Sequence, residues 1–126
     1  MKEFAATEWQ RALRTLTSAE KLVDSDPDSA ASRAYYAAFH ALTALFALRG
    51  QTYSKHSALR AALHRELIKT GRWEQELGRS YDFLMDMRET GDYGGPIEVS
   101  QSDAQMSLEK ARTIIEAVKK DCSQLQ

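Results

Sequence analysis

The chain has 126 residues, 28% of them charged and 43% hydrophobic, which suits one folded domain with a sizeable core and excludes a disordered tail. Six glycines and two prolines are too few turn-formers for a many-stranded sandwich or barrel. Seventeen basic against eighteen acidic residues exclude a global field that would hold nucleic acid or an anionic membrane, and the lone Cys122 excludes an internal disulfide and a thiolate zinc site.

Five segments with helical periodicity predict an all-α fold, an up-and-down helical bundle of four to five helices in a single domain over residues 1–126. The first spans roughly 3–24, where Ala5, Trp9, Ala12, Leu13, Leu16, Ala19 and Val23 make one apolar stripe. Glu3 and Glu8 interrupt it where a secretion signal would be continuously apolar. In the run Asp24-Ser25-Asp26-Pro27-Asp28, Asp26 is placed to cap a second helix and Pro27 to open it. The run resembles a calcium loop only at a glance, because the loop Gly and closing Glu are missing from their offsets.

The second helix, roughly 27–49, is apolar nearly all round and is therefore expected at the centre of the bundle. Its stretch from Ala34 to Leu48, broken by His40 and Thr43, falls short of the roughly 20 residues a bilayer needs, so a cytoplasmic protein without a membrane span is expected. Tyr35, Phe39, Leu42, Leu45 and Phe46 form its bulky core side. Arg33, Tyr36, Ala37, His40, Thr43, Ala44 and Ala47 form a smaller side suited to lining a cleft. Ser54 is the expected cap of a third helix running to about Thr70, with Gly71 closing it. The fourth helix is expected from near Arg72 and buries Trp73, Leu77, Tyr81, Leu84 and Met85, with Arg88 next on the stripe. A loop follows over Gly91–Val99, including Gly94-Gly95-Pro96. Ser100 and Asp103 then form a capping box for a last helix whose seam is Ala104, Leu108, Ala111, Ile115, Val118, Cys122 and Leu125.

Helix stability does not explain every polar position. An unpaired inward charge costs several kcal/mol, so inward Arg and His need partners. Arg33 and His40 lie two turns apart and point the same way, and Asp92 follows Arg88 by one turn with Tyr93 beside it. Arg33, Tyr36, His40, Arg88, Asp92 and Tyr93 thus form a candidate constellation. It can be read as a phosphate receptor, with guanidinium forks as donors and His40 moving a proton. Its structural reading is an internal network in which Asp92 neutralises Arg88 or Arg33 and Tyr36 or Tyr93 hydrogen-bonds the remainder. His56, Arg60 and His64 share a flank of the third helix, but two His two turns apart do not hold one metal without help, and no metal or cofactor site is expected. From Arg49 to Arg79, seven basic residues face only Glu66, Glu74 and Glu76. That imbalance suits either an anionic partner or a solvated helix face.

The run Ser32-Arg33-Ala34-Tyr35-Tyr36-Ala37-Ala38-Phe39-His40-Ala41 resembles the signature second helix of the HEPN superfamily (higher eukaryote and prokaryote nucleotide-binding), in its small stand-alone prokaryotic branch. Lys55-His56-Ser57 and Arg88-Glu89-Thr90-Gly91-Asp92-Tyr93 match in the expected order. The resemblance implies a bundle that dimerises, with the polar cleft at or near the dimer interface. It also implies pairing with a minimal nucleotidyltransferase as toxin and antitoxin, and for many members a metal-independent endoribonuclease using Arg, four to six residues, then His. Arg88 matches that motif, whereas Tyr93 stands where the His is expected. The resemblance therefore leaves His40 and Arg88 as catalytic candidates, and Arg33, Tyr36, His56, Asp92 and Tyr93 as ligand-binding candidates. Three functions follow: a module binding nucleotide or RNA phosphate beside a nucleotidyltransferase, a ribonuclease toxin in which His40 or His56 replaces the missing His, and a structural helical dimer.

Overall fold

A computed structural model describes residues 1–95 and 97–125. Five α-helices follow in chain order among these residues: α1 (Lys2–Leu22), α2 (Pro27–Leu48), α3 (His56–Leu63), α4 (Gln75–Tyr93) and α5 (Gln101–Asp121). The all-α bundle expected from periodicity is what forms. None of these helices is long and apolar enough to cross a membrane.

Helix α2 is the centre, packed against α1, α3, α4 and α5. Its alanines explain this: Ala34, Ala37, Ala38, Ala41, Ala44 and Ala47 are fully buried, and a methyl side chain lets neighbouring helices approach closely from several directions. This corrects the expectation that the small side of α2 lines a cleft along its length. Ala37, Ala44 and Ala47 are sealed, and the buried Thr43 donates its hydroxyl to the carbonyl of Phe39. Only the turns carrying Arg33, Tyr36 and His40 retain access. Leu13, placed on the inward stripe of α1 by periodicity, is exposed.

Asp26 caps α2 as expected. It accepts the backbone N–H of Ser29 at 3.2 Å and its hydroxyl at 2.6 Å, with Pro27 opening the helix. Ser100 likewise accepts the N–H of Asp103 at 2.9 Å. Ser54 does not cap α3, because Lys55 occupies that position without a side-chain bond. The α-helical part of the third segment stops at Leu63 and passes into a π-helical turn, His64–Ile68, before Gly71 ends it in the left-handed region at φ +80°.

The fourth helix differs at both ends. It starts at Gln75, so Trp73 is buried from the connector, where its indole N–H donates to Asp121 at 3.0 Å. It continues through Tyr93, placing Gly91 and Asp92 on the helix and not in a loop. Gly91 is there for close approach: a Cβ at this position would lie 2.6 Å from the carbonyl oxygen of Asp28 on α2. The Asp28 carboxylate accepts the N–H of Val99 at 3.0 Å, tying the α4–α5 connection to the start of α2. Of the expected Gly94-Gly95-Pro96 loop, Pro96 lies outside the described residues.

Candidate functional site

The start of α2, the first residue of α3 and the last turns of α4 meet around one guanidinium. Arg88 donates from Nε to Asp92 at 3.0 Å and from Nη2 to the hydroxyl of Tyr36 at 3.1 Å. Its Cζ lies 5.6, 5.5 and 5.6 Å from the ring centres of Tyr35, Tyr36 and Tyr93. Three aromatic faces therefore hold a cation whose side chain is only 15% exposed. Asp92, one turn on, completes an i,i+4 ion pair. The internal network expected from the spacing does form, with Asp92 on Arg88.

His56 enters from the N-terminus of α3 against Phe39, Tyr35 and Tyr36, with ring centres 4.7, 5.6 and 5.7 Å away. Its Nδ1 lies 2.6 Å from the Tyr35 hydroxyl. Tyr35 is fully buried and accepts a bond from the equally buried Tyr81 at 3.3 Å. Burial, with the positive charges of Arg88 and His40 nearby, holds the His56 pKa below its usual value. Burial pushes both tyrosines up, Tyr81 strongly.

His40 turns its Nδ1 to Glu8 of α1 at 3.1 Å, while its ring centre lies 6.3 Å from that of Tyr36. Glu8 is buried, with Arg11 at 3.7 Å. A carboxylate accepts only, so His40 donates its Nδ1–H to Glu8. The His40 Nε2 has no hydrogen-bond partner among the described residues and is not sealed from solvent. Arg33 is exposed and has no ion-pair partner among the described residues. With Ser32, Tyr36, Gly91 and Asp92 it lines a cleft of about 300 Å³ beside the Arg88 cage.

Tyr36, His56, Arg88, Asp92 and Tyr93 are thus brought into one cluster, His40 borders it through Tyr36, and Arg33 stands at its rim. Tyr93 is 75% exposed and forms its outer wall. Sequence reasoning missed Glu8, and it assigned Tyr35, Phe39 and Tyr81 to packing alone. Periodicity shows which way a residue faces and is silent on what its hydroxyl or carboxylate meets across the bundle. Among the described residues no group of three or more His, Cys, Asp and Glu is placed to hold a metal ion.

Five of the seven basic residues in the stretch are paired: Arg49, Arg60, Arg65, Arg72 and Arg79 each reach a carboxylate within 4.0 Å. A cavity of about 930 Å³ lies between the connector before α4 and the end of α5, away from the Arg88 cluster. Its Arg72 and Arg112 are already paired with Asp121 and Glu20. We place the candidate site at Arg88, where polar atoms remain open.

A family model described as the HEPN domain matches residues 6–121. The chain belongs to the HEPN domain family. A UPF0332 protein of Thermotoga maritima is 36% identical over 121 residues, covering 94% of this chain and 92% of the relative. A Methanocaldococcus jannaschii protein named "putative toxin" is 30% identical over 112 residues, covering 88% and 76%. The crystal structure of TT1696 from Thermus thermophilus superposes with a TM-score of 0.80 at 23% identity, covering 94% of this chain and 98% of that one, a likeness of fold. In this HEPN domain Arg88 stands on α4, and the residue five positions on, Tyr93, is an exposed tyrosine whose ring centre lies 5.6 Å from the guanidinium carbon.

Proposed function

We propose that this HEPN domain binds the phosphate of a nucleotide or of RNA, with Arg88 as the anchoring cation. The observation that carries the reading is the Arg88 cage: a desolvated guanidinium fixed by Tyr36 and Asp92 over three tyrosine rings, beside a cleft rimmed by Arg33, which makes no ion pair among the described residues. A fixed, poorly hydrated guanidinium meets phosphate oxygens at lower reorganisation cost than a flexible surface lysine. Tyr36, His56, Asp92 and Tyr93 complete the receptor, and aromatic faces suit a base or ribose attached to that phosphate. The family resemblance further supports a second copy of the chain and a minimal nucleotidyltransferase as partners in a toxin–antitoxin-like pair. The test is a nucleotide titration of the parent and of Arg88→Ala at two salt concentrations. Saturable binding that weakens with salt and is lost in the variant supports the reading, and equal binding by both ends it.

A second reading, a metal-independent endoribonuclease, is favoured by the Glu8–His40 pair. With its Nδ1–H held by a buried carboxylate, the neutral form of His40 has a lone pair on Nε2 able to accept a proton from a ribose 2′-hydroxyl, while Arg88 steadies the phosphate. Incubation with mixed cellular RNA without added metal distinguishes the two readings. Cleavage that His40→Ala and Arg88→Ala both lose makes the protein a nuclease, and intact RNA leaves the binding module.

A further inference from the structure

Two buried tyrosines and one histidine form a hydrogen-bonded line from the core to the candidate site. Tyr81 on α4 donates to the Tyr35 oxygen at 3.3 Å, and the Tyr35 oxygen lies 2.6 Å from His56 Nδ1. Both hydroxyls are fully buried. Tyr81 has Tyr35 as its only hydrogen-bond partner among the described residues.

The direction of this line is decided at its inner end. If His56 carried its proton on Nδ1, it would donate to Tyr35, Tyr35 would donate to Tyr81, and the Tyr81 proton would point into a core with no acceptor among the described residues. A buried donor without a partner loses its hydration for nothing in return. Run outward, every proton is used: Tyr81 gives to Tyr35, Tyr35 gives to Nδ1, and the imidazole keeps its own proton on Nε2. The His56 Nε2 has no hydrogen-bond partner among the described residues and is not sealed from solvent.

We infer that Tyr35 is a positioning residue that locks His56 as the Nε2–H tautomer, so that the ring presents a hydrogen-bond donor next to the Arg88 cage. Protonating His56 would force the same reversal as the wrong tautomer. The groups around the ring agree: Tyr35, Tyr36 and Phe39 pack on it from α2, the charges felt are Arg88 from α4 and His40 from α2, and among the described residues no carboxylate bonds to it. The two histidines near Tyr36 are held differently: His40 gives its Nδ1–H to Glu8, whereas His56 accepts at Nδ1 from Tyr35 and presents its proton at Nε2. A site with a guanidinium and a neutral N–H donor selects a ligand atom that only accepts, such as a phosphate oxygen. That last step rests on the phosphate reading above, whereas the tautomer does not.

The tautomer is read on the ligand-free protein from long-range nitrogen–proton NMR of the histidine rings, with His56→Gln assigning the signal. In the parent, His56 is expected with Nε2 protonated and Nδ1 as acceptor at pH 7.5. In Tyr35→Phe the Nδ1–H form is expected to appear and the titration midpoint to rise by about half to one pH unit. Tyr81→Phe deletes an equally buried hydroxyl but leaves Tyr35 with His56 as its acceptor, so it keeps the parent tautomer. A parent ring protonated on Nδ1, or a Tyr35→Phe ring indistinguishable from the parent, overturns the inference; the parent spectrum decides even where a variant does not fold. Titrating inorganic phosphate afterwards and watching the His56 Nε2 signal tests the phosphate reading separately.

Discussion

Arg88 and Arg72 are both tied to aspartates, and they are opposites. At Arg72 the anion is the buried partner: Asp121 is 10% exposed, the arginine 53%, and the carboxylate accepts from Arg72 Nε and Nη2 and from the Trp73 indole. Every strong acceptor there is satisfied, and the unit joins the connector before α4 to the end of α5. At Arg88 the cation is the buried partner, at 15% against 30% for Asp92, and its neighbours are ring faces. Burying the anion makes a clasp. Burying the cation fixes a guanidinium beside the cleft, with open nitrogens on His40 and His56 close by. An ion pair's contribution to function thus depends on which partner loses its water.

The largest effects come from cutting each pair. Arg88→Ala is expected to weaken nucleotide binding roughly 10- to 100-fold, about the value of a charged hydrogen bond, with a small change in melting temperature. Asp121→Ala is expected to cost about 1–3 kcal/mol of stability, because the Trp73 N–H and Arg72 lose their acceptor, and to leave binding unchanged. Denaturant midpoints and one titration for each variant measure both. If Asp121→Ala abolishes binding, or Arg88→Ala only unfolds the protein, the contrast between clasp and site is wrong.

Gly91→Ala sharpens the site's dependence on packing. The added Cβ meets backbone, the Asp28 carbonyl, which yields less readily than a side-chain tip. A loss of about 1–3 kcal/mol is expected in urea unfolding, as the end of α4 moves off α2. Unchanged stability would mean that the close approach at Asp28 is not maintained.

Acidification should separate the regions further. The His56 pKa is lowered from 6.5 chiefly by burial, so the unfolded chain binds this proton first. Its contribution to stability is complete above about pH 6.5 and is lost as pH falls below that. Asp121 is lowered from 3.8, first by the Arg72 hydrogen bond, so the clasp holds until the pH falls through that more acidic range. Stability measured between pH 7.5 and 5.5 should therefore decline in the parent and decline less in His56→Gln. Equal slopes would remove His56 as the group that yields first.

How much of this was legible depended on whether the partner was local. The five helices follow from steps of three and four, and Arg88–Asp92 is an i,i+4 pair that spacing alone suggests. Trp73 also fits the stripe of α4, yet it is buried from outside the helix because its indole is anchored to Asp121. Gly91 reads as a helix breaker in sequence and is an interhelical contact in space. The Tyr35–His56 and Glu8–His40 contacts join residues 21 and 32 apart in the chain, beyond any periodicity. The π turn at His64 likewise has no sequence signal in spacing; there the ring of His64 packs over Gly78 of α4 and bonds Asp82 at 3.0 Å.

Arg33 gives the smallest expected effect and the finest division of the site. It is exposed and makes no ion pair among the described residues, so Arg33→Ala should change stability by no more than about 0.5 kcal/mol. As a rim cation over the cleft it acts through screened attraction, which falls off over roughly 8–10 Å at physiological salt. The variant should therefore bind nucleotide a few-fold more weakly at low salt, and the difference should shrink as salt rises. Arg88→Ala, by contrast, should remain defective at every salt concentration, because its cation is desolvated and hydrogen-bonded in place. A salt-independent loss in Arg33→Ala would move it from the rim into direct contact with the ligand, and the receptor would then have two anchoring guanidinium groups instead of one.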